Sequence, residues 1–352
     1  MEEKVTKKDV LDRLIAAYLN TAQDGVATVE GSFTSDTLAA NAVEFEKAYG
    51  EIKLVLEAAF AQTSWGEYLT ARAEEHGVMR QAATHALVVL TVAGRAGSTI
   101  PLASLFATAD GRNFETVEEA VIGEDGSVDV RAQSQGSGSE NNVAAGTITK
   151  IPVGIYGVSS VNNAAAAYDG FDEETDAALL ERLLFKVRQP STSGNVYHYQ
   201  LWATSVAGVG AVKVLPLWSG NGTVKVLVVD AEMGVPSEDL LQNVRNEIAA
   251  NAPIGATVTV TAPETLTVNV ALKVTDGVGN SDGIKQVLND YFKETVFEAD
   301  NISYAHIGKT ILSEYVKTGV LDYANLTVNG GTVNIPVADG QLPVVGQVTL
   351  NE

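Results

Sequence analysis

Hydrophobic residues in the first third of the chain recur with helical spacing. Val10, Leu14, Ala17 and Tyr18 fall on one face of a short helix. Phe45, Tyr49, Ile52, Leu56 and Phe60 repeat every three or four residues, which predicts an amphipathic helix of several turns. Ser35 or Asp36 is its expected N-cap. A third helix is expected from Ser64 to about Glu75, ending at His76-Gly77, where glycine tolerates the left-handed conformation.

The rhythm then changes. The apolar run Ala86–Ala93 reads as a buried strand, Asp110-Gly111 marks a hairpin, and GEDG leads into the alternating strand SVDVRAQ. The polar, glycine-rich stretch Ser134–Gly146 reads as a loop or a bulged edge. Beyond Asp169 helices and strands alternate. Leu179, Leu180, Leu183, Leu184 and Val187 line a helix that Asp172 is expected to cap, and a shorter helix follows around Asn195–Val206. GAVKVLPLW and GTVKVLVVD form strands joined by SGNG. Ser237 caps a helix buried through Leu240, Leu241, Val244 and Ile248, and ATVTVTA closes as a strand. The last quarter predicts a strand, two helices with Ile284, Val287, Leu288, Tyr291 and then Ile307, Ile311, Leu312, Tyr315, and two or three strands. The pattern is that of a multidomain α+β chain. A helical N-terminal region (1–85) precedes a small β-rich domain (86–165), followed by two successive α+β sandwich domains (166–263 and 264–352).

Charge narrows the function classes. The 352 residues carry 23 Lys+Arg against 44 Asp+Glu, a net charge of −21, which argues against binding the phosphate backbone of nucleic acid. Residues 81–109 hold no acid and one base, and residues 183–229 hold no acid and four bases: Lys186, Arg188, Lys213 and Lys225. Buried strands account for part of this; a face turned toward other chains of an assembly is the sharper explanation. The charged start MEEKVTKKDVLDRLIAAYLN does not resemble a signal peptide, and no apolar run is long enough to span a membrane.

Catalytic chemistry finds little support. The absence of cysteine removes disulfides, thiolate metal sites and thiol nucleophiles. His76, His85, His198 and His306 lack the spacing that puts two imidazoles on one metal. Ser159 is not in a nucleophile elbow, and Gly208-Val209-Gly210 leads into a strand where a dinucleotide fold needs a helix. The acidic runs Asp169–Asp176 and Asp276–Gly283 lack calcium-loop spacing and read as helix entries. No catalytic, cofactor or metal residue is assigned. Of Trp65, Trp202 and Trp218, only Trp218, beside the SGNG turn, is expected to be exposed and so able to stack on a sugar.

One family pattern is present in order. Gly170, Asp172, Glu174, Thr175, Asp176, Arg182, Gly194, Tyr199, Trp202, Gly208, Val209, Val212, Val214, Gly220, Gly222, Thr223 and Val224, then Pro253–Ala256, resemble the baseplate J-like family of contractile tails. Upstream, Gly66–Leu69, Gly77, Arg80, Ala83, Gly97–Pro101, Asp110-Gly111, Phe114, Thr116, Asn142–Gly146, Val161 and Asn163 continue the resemblance. It covers about Gly66 to Ala262.

The resemblance implies a non-enzymatic baseplate wedge component, without cofactor or metal, from a phage tail or tail-like particle such as a bacteriocin. Its implied partners are its own second copy within a six-fold ring, a tail protein I-like chain, a lysozyme-like chain that starts the sheath, and the central hub and spike. Synthesis is expected in the bacterial cytoplasm. Two environments for one sequence suggest a hinge, expected at Gly154–Gly170. Lys186, Arg188, Lys213 and Lys225 are the candidate subunit-interface residues. The alternatives are a tail-associated receptor or glycan binder and a tail-tip cell-wall hydrolase.

Overall fold

The computed structural model describes residues 5–21, 27–189 and 192–351. The fold is α+β, with nine α-helices among the described residues. It divides into two compact units, one of residues 1–80 with 175–184, the other of 81–174 with 185–352.

The first unit is helical. Helix α1 (Lys7–Thr21) starts on a reciprocal cap: Thr6 N–H donates to Asp9 Oδ2 at 2.8 Å, and Asp9 N–H donates to Thr6 Oγ1 at 3.3 Å. Helix α2 (Phe33–Ala59) begins earlier than expected. Its cap is Ser32, whose Oγ accepts the Ser35 N–H at 3.2 Å, and not Ser35 or Asp36. Only Ser35 and Ala42 are buried along its 27 residues, and positions 47–56 are all exposed. Helix α3 (Gly66–Glu74) buries Leu69 and Ala73 against Val78 and against Leu179 and Leu183 of helix α4 (Asp176–Arg188). The start of α4 thus completes a helical core instead of joining the module that follows it in sequence. Asp172 does not cap α4. It accepts the Ser139 N–H at 2.8 Å, and the Thr175 hydroxyl accepts the Ala178 N–H in its place. Arg80 and the Gly66 N–H both reach Asp176, at 2.6 and 2.8 Å. The Gly66 N–H, with Arg80, holds its carboxyl below the ordinary range.

The second unit opens with a nearly closed barrel. Its strands are β1 (His85–Gly94), β2 (Thr99–Ile100), β3 (Leu105–Thr108), β4 (Asn113–Thr116), β5 (Ala120–Val121), β6 (Ser127–Ser137), β7 (Ile148–Lys150) and β8 (Val158–Asn162). Six of them form one antiparallel sheet in the order β7-β3-β4-β6-β1-β8, and β2 pairs with β5. The apolar run of β1 is buried only alternately, through Ala86, Val88, Leu90 and Val92, because its outer positions face away from the Phe106–Phe114–Ile148 interior. Ser134–Ser137 is no edge; it continues β6, which lies between β4 and β1.

Asn163 draws the two outer strands together. Fully buried, it accepts the Ile148 N–H at 2.9 Å through its side chain and the Gly146 N–H at 2.8 Å through its carbonyl. Its Nδ2 donates to the carbonyls of Ala144 and Ala165. The segment Gly154–Gly170, where a hinge is expected, is attached to the barrel at three points: β8 pairs with β1, Ala167 is buried, and Tyr168 bridges Leu87.

Phe171 leaves the barrel and enters the next core, which is built on α5 (Val196–Thr204), β9 (Val209–Pro216), β10 (Thr223–Asp230), α6 (Glu238–Asn251) and β11 (Thr257–Thr261). Gly208, at φ +91°, admits the Phe171 ring; a Cβ there would lie 2.5 Å from it. The sheet order is β11-β10-β9, with β10 antiparallel to β9 and parallel to β11.

The last module contains β12 (Glu264–Gly277), α7 (Ser281–Lys293), β13 (Asn301–Ile302), α8 (Tyr304–Ser313), α9 (Tyr315–Thr318), β14 (Val320–Val328), β15 (Ile335–Pro336) and β16 (Gln341–Asn351). Its sheet, β14-β12-β16, again gives the middle strand one antiparallel and one parallel neighbour. Ile284, Leu288, Ile307 and Ile311 cover it, whereas Leu312 and Tyr315 are exposed.

Candidate functional site

The structure separates the four cations that sequence singled out. Lys213 and Lys225 are diagonal neighbours on the face of the β11-β10-β9 sheet turned away from α5 and α6, since Lys213 pairs with Leu227 and Lys225 with Leu215. The C-terminal module covers part of that face. Ala211 and Val229 pack with Val296, Phe297, Leu342 and Val344, and Lys213 Nζ meets Asp339 Oδ1 at 2.6 Å. The hydrogen bond from Lys213 holds the Asp339 carboxyl below its ordinary range. Lys225 lies at the other end, its Nζ 5.1 Å from the centre of the Trp218 ring. Lys186 and Arg188 belong to the last turn of α4, where their charge suits the helix C-terminus.

The β9–β10 turn is a second surface feature. Leu217 is held at φ +57°, and Leu217 and Trp218 are 62% and 46% exposed. Ile254 is fully exposed on the turn before β11, and the Thr257 N–H, three residues on, donates to Gly222 O at 2.8 Å. Three large apolar side chains thus crown one end of the sheet. Trp218 is exposed as sequence predicts, but a lysine already occupies its ring. Trp202 packs between Tyr199 and His198, and Trp65, expected in the core, is 39% exposed against Tyr68.

The junction of barrel and central module is polar and closely built. Tyr168 Oη donates to Asp239 Oδ2 at 3.1 Å, and Arg131 Nη2 reaches the same oxygen at 2.9 Å. The Ser237 hydroxyl, which caps α6, donates to Asp169. Burial pushes the Asp169 carboxyl up, only partly offset by that hydrogen bond, and Asp239 nearby acts in the same direction. Burial likewise raises Asp230, against the N–H groups of Gly234 and Glu232 that donate to it. Of these residues, sequence marked only Asp169, as part of a helix-entry run, and Ser237, as a cap.

Three histidines have packing or hydrogen-bonding partners. His198 stacks on Trp202, His306 stacks on Tyr291, and His85 Nδ1 lies 2.8 Å from Ser134 O. Among the described residues no group of three or more His, Asp or Glu is placed to hold a metal ion. No helix among them is long and apolar enough to cross a membrane.

A barrel joined to two α/β modules, with bare apolar side chains on a long helix and on a hairpin tip, has the makings of an assembly component. Comparison with known proteins agrees. The chain matches the Baseplate J-like protein barrel domain over residues 89–170, the Baseplate J-like central domain over 191–262 and the Baseplate J-like protein C-terminal domain over 266–351. It is 31% identical to the phage-like element PBSX protein XkdT of Bacillus subtilis, covering 100% of this chain and 99% of that protein. It is 29% identical to baseplate protein gp47 of Escherichia phage Mu, over 67% of this chain and 69% of that one. A cryo-EM structure of the anti-feeding prophage baseplate aligns over 98% of this chain and 99% of that one, at 12% identity and a TM-score of 0.38. The chain belongs to the baseplate J-like family. It is a baseplate protein of a phage or phage-like tail.

Proposed function

We propose that the chain is a structural, non-enzymatic wedge component of a contractile tail's baseplate. Two copies per wedge would form a six-fold ring around the central hub and spike. They would join a tail protein I-like partner and a lysozyme-like chain that starts the sheath, and transmit the baseplate's rearrangement to sheath contraction. Synthesis in the bacterial cytoplasm precedes incorporation into a virion or a released particle.

The observation that supports this reading is helix α2. It is about 40 Å long, and Phe45, Ile52, Leu56 and Phe60 of its apolar stripe are 49%, 56%, 56% and 64% exposed. Isolated helices are marginal in water, and an amphipathic stripe gains stability only when another surface covers it. Within the chain Ala42 is covered and Arg13 of α1 lies over the Tyr49 ring, and Ile52, Leu56 and Phe60 beyond them are left for a partner. The test is to purify the parent particles, label this chain at its C-terminus with gold and measure its ratio to the other wedge chains by mass spectrometry. The reading requires gold at the sheath-proximal baseplate and two copies for each tail protein I-like chain. Label on fibres, or a trimeric stoichiometry, would replace it with receptor binding.

A further inference from the structure

A chain of net charge −21 that packs beside its own copies must do so against its own repulsion. Close approach is least opposed where acids are missing. The β9–β10 hairpin and the turn into β11 form such a place: residues 209–229 and 250–263 contain no Asp or Glu. The same end of the sheet exposes Leu217, Trp218 and Ile254, with Lys225 over the indole. Tryptophan is among the few residue types that carry most of the binding energy at protein interfaces.

The barrel of the same compact unit carries the complement. Between residues 117 and 125 lie Glu118, Glu119, Glu124 and Asp125, all exposed, and among them Val117 and Val121 are 42% and 53% exposed. We propose that the hairpin tip of one copy docks on the 117–125 surface of the barrel of a second copy. The two patches are different surfaces of one molecule, so the contact is head-to-tail. Contacts of that kind generate a ring when the rotation closes. This inference rests on the ring-forming role proposed above, and its opposite charges set register and partner choice more than raw affinity.

The absence of cysteine makes the test clean. Ser219→Cys, exposed beside Trp218 and leaving the indole in place, is put in one full-length copy and Val121→Cys in another, with Val333→Cys, 71% exposed on the C-terminal module, as the control partner. Particles assembled from the mixed copies are treated with a short bis-maleimide. The expected product is a covalent dimer joining the copy carrying Ser219→Cys to the copy carrying Val121→Cys, with none to the control. Lys225→Glu should lower its yield about two- to five-fold, and Glu124→Lys on the other copy should restore it. Trp218→Ala, in unmodified pairs followed by native mass spectrometry, should weaken the contact about tenfold or more. Particles that contain both copies but give no such dimer, or one only between two Ser219→Cys copies, overturn the docking and leave the wedge role intact. Particles without the chain at their baseplate overturn the wedge role itself.

Discussion

Asn163→Ala tests the view that a single side chain draws the barrel closed. The residue is fully buried, and alanine keeps its Cβ and backbone carbonyl, so the hydrogen bonds made by the carboxamide are lost and the small void it leaves only adds to the cost. The Ile148 N–H, buried on β7, loses its acceptor, at about 1–3 kcal/mol for an unpaired buried donor. The carbonyls of Ala144 and Ala165 each lose a donor in partly buried surroundings, where water replaces some of the bond, at about 0.5–1 kcal/mol each. The sum is roughly 3 kcal/mol, or a fall of about 6–12 °C in the unfolding temperature of a unit this large. Urea titration followed by tryptophan fluorescence measures the change. Hydrogen exchange places it, with protection lost first at Gly146–Ile148. A loss under 1 kcal/mol, or unchanged exchange in that segment, would show that strand pairing elsewhere closes the barrel without Asn163.

Three further outcomes follow from the same geometry. Asp169 is held above its unfolded pKa, so the fold is penalised at neutral pH and relieved as pH falls toward the ordinary carboxylate value. Asp169→Asn keeps an acceptor for Ser237 and suits φ +61°, so it should raise stability at pH 7–8, with the gain fading below pH ~4; equal gains at both pH values in urea titrations refute the burial argument. Asp176 is the opposite case, held below its unfolded value, so its contribution is present above pH ~4 and lost on acidification. Asp176→Asn should remove that part of the acid dependence from the exchange of amides 66–80, and an unchanged acid profile would contradict it. Gly283→Ala places a Cβ 1.9 Å from Lys317 O, a backbone atom with little room to move, and should destabilise by about 1–3 kcal/mol or more. Limited proteolysis of the C-terminal module would detect it.

The elements buried on one side were readable from spacing. Ser237 with Leu240, Leu241, Val244 and Ile248 gave cap and core of α6 together, because capping and 3.6-residue periodicity are local. What failed was non-local. Phe45, Tyr49, Ile52 and Leu56 have the spacing of a buried face, but periodicity records that a stripe seeks cover, not whether the same chain supplies it. Small residues in Gly154–Gly170 gave no sign of its ties to the barrel, through Asn163 to Ile148 and through Tyr168 to Leu87, because those partners lie outside the segment. Asp172 looked like a cap because it precedes a helix; Ser139, 33 positions earlier, takes it instead. Of the four cations, Lys213 and Lys225 share a sheet face by strand register, which composition does not reveal.

The claim on which the rest depends is that this chain builds the baseplate. Electron microscopy of particles made by a strain lacking the chain, beside one complemented with it, addresses that claim most directly. The wedge role predicts loss of the baseplate and of assembled sheath, both restored by complementation. Complete, sheathed tails that fail only to adsorb to cells would contradict it.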